Sequence, residues 1–346
     1  MASSLATVEP VAAQEAPPSL TERFFNRRAV ASLVAAAAIV AVAVWRAPIN
    51  WSDAWDRIRH ADPLLYLVAL LIYYASFGLR SLRWHILLRN AGEEHSTRSL
   101  IGPVVSSFFV NCVVPAKMGD LYRAYQARSR LGVSGSKALG TIIAERLLDL
   151  CVLMAMLLAA GALVFHKKAP GVLVPYVIAG TGVCIAGVAV ILTMRAGRGR
   201  RLLRLLPEAI FHRYEAFRVG TVHAFGRYPT LLALTVGVWM CEGARLGFVV
   251  FALRDGNILG PSQFLLIALV AALLTTVPFL PGGLGLVEAG MVGVLIAVGG
   301  VGQQVAVSIA LLDRSISYGS LVLFGFLVFL VSHIAAPRAR PAHARG

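Results

Sequence analysis

Long apolar runs follow one another along almost the whole chain, at 29–45, 63–79, 99–115, 150–165, 171–194, 229–253, 258–281, 284–301 and 315–332. A helix needs roughly 17–25 such residues to cross a bilayer, and several runs reach that length. In hydrocarbon the backbone must satisfy its own hydrogen bonds, which a helix does within one segment. The sequence therefore predicts an all-α polytopic membrane protein. Only 14% of its residues are charged and its mean hydropathy is +0.75, whereas a soluble domain carries about 25% charged residues.

Ionisable residues lie inside these runs, and they recur. One sparse pattern reads Pro63, Gly78-Leu79-Arg80, Pro115 with Gly119, and Glu145-Arg146; a second reads Pro229, Gly243-Ala244-Arg245, Pro281 with Gly285, and Asp313-Arg314. The copies are offset by about 166 residues, with successive gaps of 17, 35 and 30 residues in the first and 16, 36 and 32 in the second. Apolar helices retain charges near their centres mainly where those charges line a polar path. A duplicated, Pro/Gly-interrupted hydrophobic unit marks the binding region of many transporters. Chance recurrence in a Gly- and Arg-rich chain competes with duplication, and four anchors at matched spacing favour duplication.

The net charge is +15, and 28 of the 32 basic residues are arginine. With the N-terminus in the cytoplasm, 23 basic residues fall on cytoplasmic segments, 6 on external ones, and 3 (Arg146, Arg245, Arg314) within helices. This is the positive-inside bias of an inner-membrane protein. The charge thus reports topology and an affinity for anionic lipid on the cytoplasmic side, not nucleic-acid binding. About six full crossings follow, at 29–46, 63–88, 138–165, 171–194, 229–253 and 305–332. Two segments remain. The one at 99–116, between Arg98 and the Lys117/Arg123 flank, is expected to enter and leave on the cytoplasmic side. The one at 260–300 is expected to dip in from outside, or else to make two crossings. Repeats at about 63–166 and 229–332 would then be inverted relative to each other.

Residues 1–28 read as a disordered cytoplasmic tail and 333–346 as a basic cytoplasmic tail, so both termini are cytoplasmic. A cleaved signal peptide at 23–45 is the competing reading, but its apolar run is long and no small-x-small site bounds it cleanly. The linker at 198–228 reads as amphipathic, with Leu203, Leu206, Ile210, Tyr214, Phe217 and Phe225 at helical spacing and Pro207 as a break. It fits an interfacial helix and a helix packed on the bundle equally well. Cys112, Cys151, Cys184 and Cys241 lie singly in apolar runs, and the histidines form no cluster, so no disulfide framework, metal or cofactor is expected.

Counted inward from Lys137 at about 1.5 Å per residue, Glu145 and Arg146 lie roughly 12–14 Å deep, near the middle of a hydrocarbon layer about 30 Å thick. Glu145 and Asp149 share a helix face, and Arg146 can pair with Asp149 three residues on. Glu242 and Arg245 have that same spacing near the centre of 229–253, and Asp313-Arg314 reach a similar depth. One such pair can simply lock helices together; three sets beside two broken helices point to a polar cavity. The breaks are Val113 to Asp120, with Pro115 and Gly119, and Pro278 to Gly285, with Pro281, Gly282, Gly283 and Gly285. Proline and glycine cannot keep such stretches helical. Glu288 falls in the first turn after the second break.

In these stretches the chain resembles the lysylphosphatidylglycerol synthase transmembrane family, also called the flippase-like domain family. The matching motifs are Arg80-Ser-Leu-Arg83-Trp84, Asn111 to Pro115, Gly119-Asp120-Leu-Tyr-Arg123, Glu145-Arg146-Leu-Leu-Asp149, Pro281-Gly-Gly-Leu-Gly285 with Glu288, and Asp313-Arg314, across roughly residues 60–332. The resemblance adds Arg83, Asn111, Asp120 and Arg123 to the candidate headgroup-binding residues. It implies a membrane domain that flips lysyl-lipid or serves hopanoid or polyprenyl-glycolipid pathways. No stretch outside the apolar runs exceeds about 35 residues, so the aminoacyl-transferase domain of the synthases is not in this sequence.

The leading expectation is a lipid translocator with no catalytic residue of its own. Arg80, Arg146, Arg245 and Arg314 would hold the phosphate of an anionic or zwitterionic headgroup. Glu145, Asp149, Glu242, Glu288 and Asp313 would balance charge, bind an amine or carry a proton. A membrane-embedded transferase using a lipid-linked donor is the alternative, although the chain shows no DxD pair, P-loop or nucleophile elbow. A non-catalytic scaffold partnered with a lipid-biosynthetic enzyme is the third.

Overall fold

A computed structural model describes residues 50–165, 174–198, 207–254, 259–277 and 280–334, and every regular element among them is helical. The expected crossing at 29–46 and the tails at 1–28 and beyond Ile334 lie outside the described residues. The described residues open with a short helix α1 (Trp51–Arg59), which leaves Trp51 and Trp55 exposed. The Asp62 carboxylate then accepts the amides of Leu64 (2.9 Å) and Leu65 (3.2 Å), and Pro63 occupies the first turn, where its missing N–H costs nothing. That cap starts the long helix α2 (Pro63–Asn90). Ser96 caps α3 (Thr97–Val113) in the same way. There follow α4 (Met118–Leu131), α5 (Gly135–Phe165), α6 (Val174–Arg195), α7 (Glu208–Val222) with a 3-10 turn (His223–Arg227), and α8 (Tyr228–Ala252). The last quarter holds α9 (Pro261–Leu274), a 3-10 turn (Pro281–Gly283), α10 (Leu286–Gly299), α11 (Gln303–Arg314), a π-turn (Ser315–Ser320) and α12 (Leu321–Ile334).

Six stretches among the described residues are long and apolar enough to cross a membrane: Pro63–Asn90, Gly135–Phe165, Val177–Arg195, Glu208–Ala252, Pro281–Gly299 and Gln303–Ser332. Five match the expected crossings after the first. The sixth is the second half of the segment left open between a dip and two crossings; its first half, Pro261–Leu274, is apolar but shorter. Helix α7 begins directly after Pro207 and lies against α5, where Thr221 Oγ1 donates to the Gly140 carbonyl (3.3 Å). From Pro207 onward the linker is thus packed on the bundle and runs through its 3-10 turn into α8, while Leu203 and Leu206 of the expected amphipathic stripe lie outside the described residues.

The same order of elements occurs twice. A long helix, a half-helix, a break, a second half-helix and another long helix appear as α2, α3, α4, α5 and again as α8, α9, α10, α11–α12. The two leading helices, α2 and α8, pack along each other, and each half-helix pair folds back on itself. The core between them is sealed by Trp84, Leu87, Leu88, Leu100, Ile142, Leu246, Ile267 and Leu269, all essentially without exposure.

Candidate functional site

Both breaks depart from helical geometry where the sequence places them. In the first, Val114 is extended and Ala116 and Lys117 both adopt left-handed φ values (62° and 51°), an unusual conformation for residues with side chains. Asn111 reaches across from the last turn of α3, and its Oδ1 accepts the Gly119 amide (2.8 Å). Gly119 itself permits the hairpin to close: a Cβ there would lie 1.9 Å from the Ser107 carbonyl oxygen. In the second break Gly282, Gly283 and Gly285 all have positive φ, and Gly285 donates its amide to Glu288 Oε2 (2.6 Å).

The two breaks meet. A Cβ on Gly282 would come within 3.5 Å of the Cys112 Cα and 2.7 Å of the Tyr318 ring. The Tyr318 hydroxyl donates to the Cys112 carbonyl (3.3 Å), one of the carbonyls left without a helical partner when α3 stops.

Charged side chains from six helices gather around this junction. Arg83, wholly buried, donates to both oxygens of Asp149, to Glu145 Oε1 (2.9 Å) and to Thr235 Oγ1 on α8 (2.9 Å). Arg123, equally buried, holds the other oxygen of Glu145 (2.8 Å) and lies over the Trp84 ring at 3.9 Å. Glu145 is therefore clamped between two guanidiniums. Arg146 takes Asp120 in a two-pronged grip (3.0 and 2.9 Å) and touches Asp149 (3.3 Å), the geometry for which guanidinium is suited.

A second group joins the repeats. Arg80 donates to Glu242 Oε1 (2.9 Å), while Arg245 takes Glu242 Oε2 (3.0 Å) and Asp313 Oδ1 (2.6 Å). The ring of Phe108 links this group to the first, with the Arg80 guanidinium 4.9 Å from its centre and that of Arg146 5.5 Å away. Finally, Arg314 pairs with Glu288 (2.7 Å) and donates to the Gly282 carbonyl (2.9 Å), satisfying the unwound backbone of the second break.

The ion pairs at the two breaks correspond. Asp120 and Glu288 each stand in the first turn after a break, and each pairs with an arginine 26 residues further on, Arg146 and Arg314. These are also the looser pairs: the side chains of Arg146, Asp120, Arg314 and Glu288 retain 29%, 17%, 11% and 24% exposure, against 0–1% for Arg83, Arg123 and Glu145.

All thirteen expected site residues thus enter one connected region, twelve in ion pairs and Asn111 as a backbone cap. The arginines expected to await a phosphate are occupied by carboxylates in this structure. The short-range pairs Arg146–Asp149 and Glu242–Arg245 form as their spacing predicts. Sequence reasoning missed the aromatic lining and the π-turn. Tyr66, Tyr73 and Tyr74 of α2 hold that turn through Ser315 Oγ (2.9 Å), the Ser317 carbonyl (3.0 Å) and Ser320 Oγ (3.0 Å). Their spacing of seven and eight residues was a readable sign of a single helix face.

A family model described as the lysylphosphatidylglycerol synthase TM region matches residues 31–325. The chain is 29% identical over 228 residues to a UPF0104 membrane protein of Methanocaldococcus jannaschii, covering 64% of this chain and 94% of that protein. It is 24% identical over 313 residues to a UPF0104 membrane protein of Methanothermobacter thermautotrophicus, covering 83% and 91%. With the glycosyltransferase AglD of Haloferax volcanii it shares 27% identity over 328 residues, covering 83% of this chain but 52% of AglD, so it spans about half of that protein.

Proposed function

This chain belongs to the lysylphosphatidylglycerol synthase transmembrane-region family, and from that premise we propose that it carries a polar-headed lipid between the leaflets of the cytoplasmic membrane. The carrying observation is the junction of the two breaks, where matched and partly open ion pairs, Arg146–Asp120 and Arg314–Glu288, flank unwound backbone. Irregular backbone at membrane depth is tolerated against protein or a wet cavity, and discontinuous helices at a repeat interface are where secondary transporters hold substrate. A headgroup phosphate would exchange with Asp120 or Glu288 for its arginine while the acyl tails stay in lipid. The sealed pairs around Glu145 would hold the frame.

In this reading the two copies are inverted repeats that rock about their shared junction. Both termini face the cytoplasm, and the basic face there leans on anionic lipid. The candidate cargoes are a phospholipid, an aminoacyl-lipid, a hopanoid or a polyprenyl-linked lipid. The test is translocation of labelled lipid by the reconstituted chain. Arg146→Ala and Arg314→Ala are each expected to slow it by at least about tenfold, a loss worth about 1.4 kcal/mol; unchanged rates would remove the proposal. The likeness to AglD keeps a second reading in play, a membrane-embedded part of a transferase working on a lipid-linked donor, alone or with a lipid-biosynthetic enzyme. A new covalent product from lipid-linked sugar donors would favour it.

A further inference from the structure

Six arginines face six carboxylates in the ion network, so with every group ionised the network is electrically neutral. Lys117 stands outside that balance. It occupies the first break, at the tip of the α3–α4 hairpin, and among the described residues its ammonium has no hydrogen bond and no carboxylate within ion-pair distance. It opens the turn that carries Asp120, whose amide donates to the Lys117 carbonyl (3.3 Å), and Asp120 is the carboxylate that Arg146 grips. Arg146 is the most exposed arginine of the network. Holding a lysine in a left-handed conformation is unfavourable in itself, and the hairpin keeps it there.

We propose that Lys117 and the open edge of Arg146 form the phosphate subsite of the path, and that the single uncompensated charge selects a headgroup with one net negative charge: a phosphodiester bearing an otherwise neutral polar group. This rests on the translocator reading and narrows its cargo. Charges at membrane depth are tolerated when matched. A monoanion brings the loaded site to neutrality, a zwitterion leaves one positive charge, and a phosphomonoester dianion leaves one negative. Lysine suits the role because a compact ammonium binds phosphate as a point charge and, unlike a bidentate guanidinium, lets it go without breaking two parallel bonds.

The full chain, reconstituted in phosphatidylcholine vesicles, is given trace fluorescent phosphatidylglycerol, phosphatidylcholine or phosphatidic acid. Wild type is expected to move phosphatidylglycerol fastest, by on the order of tenfold. Lys117→Asn, which tolerates the left-handed backbone, should slow both phosphodiester lipids and erase the preference for phosphatidylglycerol, and Lys117→Arg should keep the preference. Should the Asn variant fail to fold, the wild-type ranking and Lys117→Gln decide the same question. Preference surviving the loss of Lys117, or phosphatidic acid moving fastest, overturns the proposal. So does competition by water-soluble glycerophosphoglycerol as strong as that by the lipid, which would assign the site to a free phosphodiester. A wild type that moves none of the probes defeats the translocator reading itself, and this inference with it.

Discussion

Replacing Glu145 by glutamine tests whether the sealed half of the ion network is framework. Glu145 is essentially unexposed and accepts from two arginines that are wholly buried, at 2.9 Å from Arg83 and 2.8 Å from Arg123. Arg83 keeps both oxygens of Asp149 when the charge is lost, but Arg123 is left with only the Trp84 face at 3.9 Å. Removing one partner of a buried pair costs about 3–5 kcal/mol. The glutamine amide oxygen still accepts one hydrogen bond, so the lower end, about 3 kcal/mol, is expected for Glu145→Gln. Adding Arg123→Met removes the stranded guanidinium and supplies an apolar chain of similar length. The double variant should return to within about 1 kcal/mol of wild type, giving a coupling well above the few tenths expected of independent sites. Thermal unfolding in lipid nanodiscs, followed by tryptophan fluorescence, reads both effects. The double variant is also expected to translocate at the wild-type rate. A Glu145→Gln protein as stable as wild type, or a double variant whose loss is the sum of its parts, refutes the reasoning.

Gly119→Ala should destabilise the first hairpin by about 1–3 kcal/mol, because the new methyl would lie 1.9 Å from the Ser107 carbonyl oxygen; the same melts measure it. Tyr73→Phe removes the donor to the Ser317 carbonyl within the π-turn and should cost about 1–2 kcal/mol, while Tyr66→Phe, more exposed, should cost less than half of that. Cys151 on α5 and Cys184 on α6 stand at matched levels of the packing between those helices, because Gly180 abuts Met154 and Gly187 abuts Leu147. Copper–phenanthroline oxidation should therefore join their tryptic peptides in mass spectra, and persistently separate peptides would show that α6 does not pack as described.

What the sequence disclosed, and what it hid, follow from the range of the interactions. The crossings among the described residues were legible because a span of apolar residues needs no partner to announce itself. The breaks at Pro115–Gly119 and Pro281–Gly285 were legible because proline and glycine act on their own backbone. Arg146–Asp149 and Glu242–Arg245 were readable from three-residue spacing. Arg83–Glu145, Arg80–Glu242 and Arg245–Asp313 were not, since 62, 162 and 68 residues separate the partners and only the fold chooses among the six carboxylates. That choice is why guanidiniums expected to face a ligand proved to be engaged. Cys151 and Cys184 looked solitary for the same reason. Ser315 to Ser320 gave no sign of a π-turn, because Ser-Ile-Ser-Tyr-Gly-Ser fits an ordinary helix as well, and the tyrosines that stabilise the turn sit some 245 residues earlier.

The π-turn also fixes the azimuth of everything after it. A π-turn accommodates one residue more than the α-helix around it, and each residue advances a helix by about 100°. The Asp313-Arg314 pair lies before the turn, whereas Phe326 and Phe329, whose rings sit 5.9 and 5.6 Å from Phe109, lie after it. Excising a single serine from 315–320 would leave the acid–arginine pair in phase with its partners and swing the two phenylalanines off the first hairpin. The chain thus sets the bearing of its charged groups and that of its aromatic clasp separately, on either side of one irregular turn.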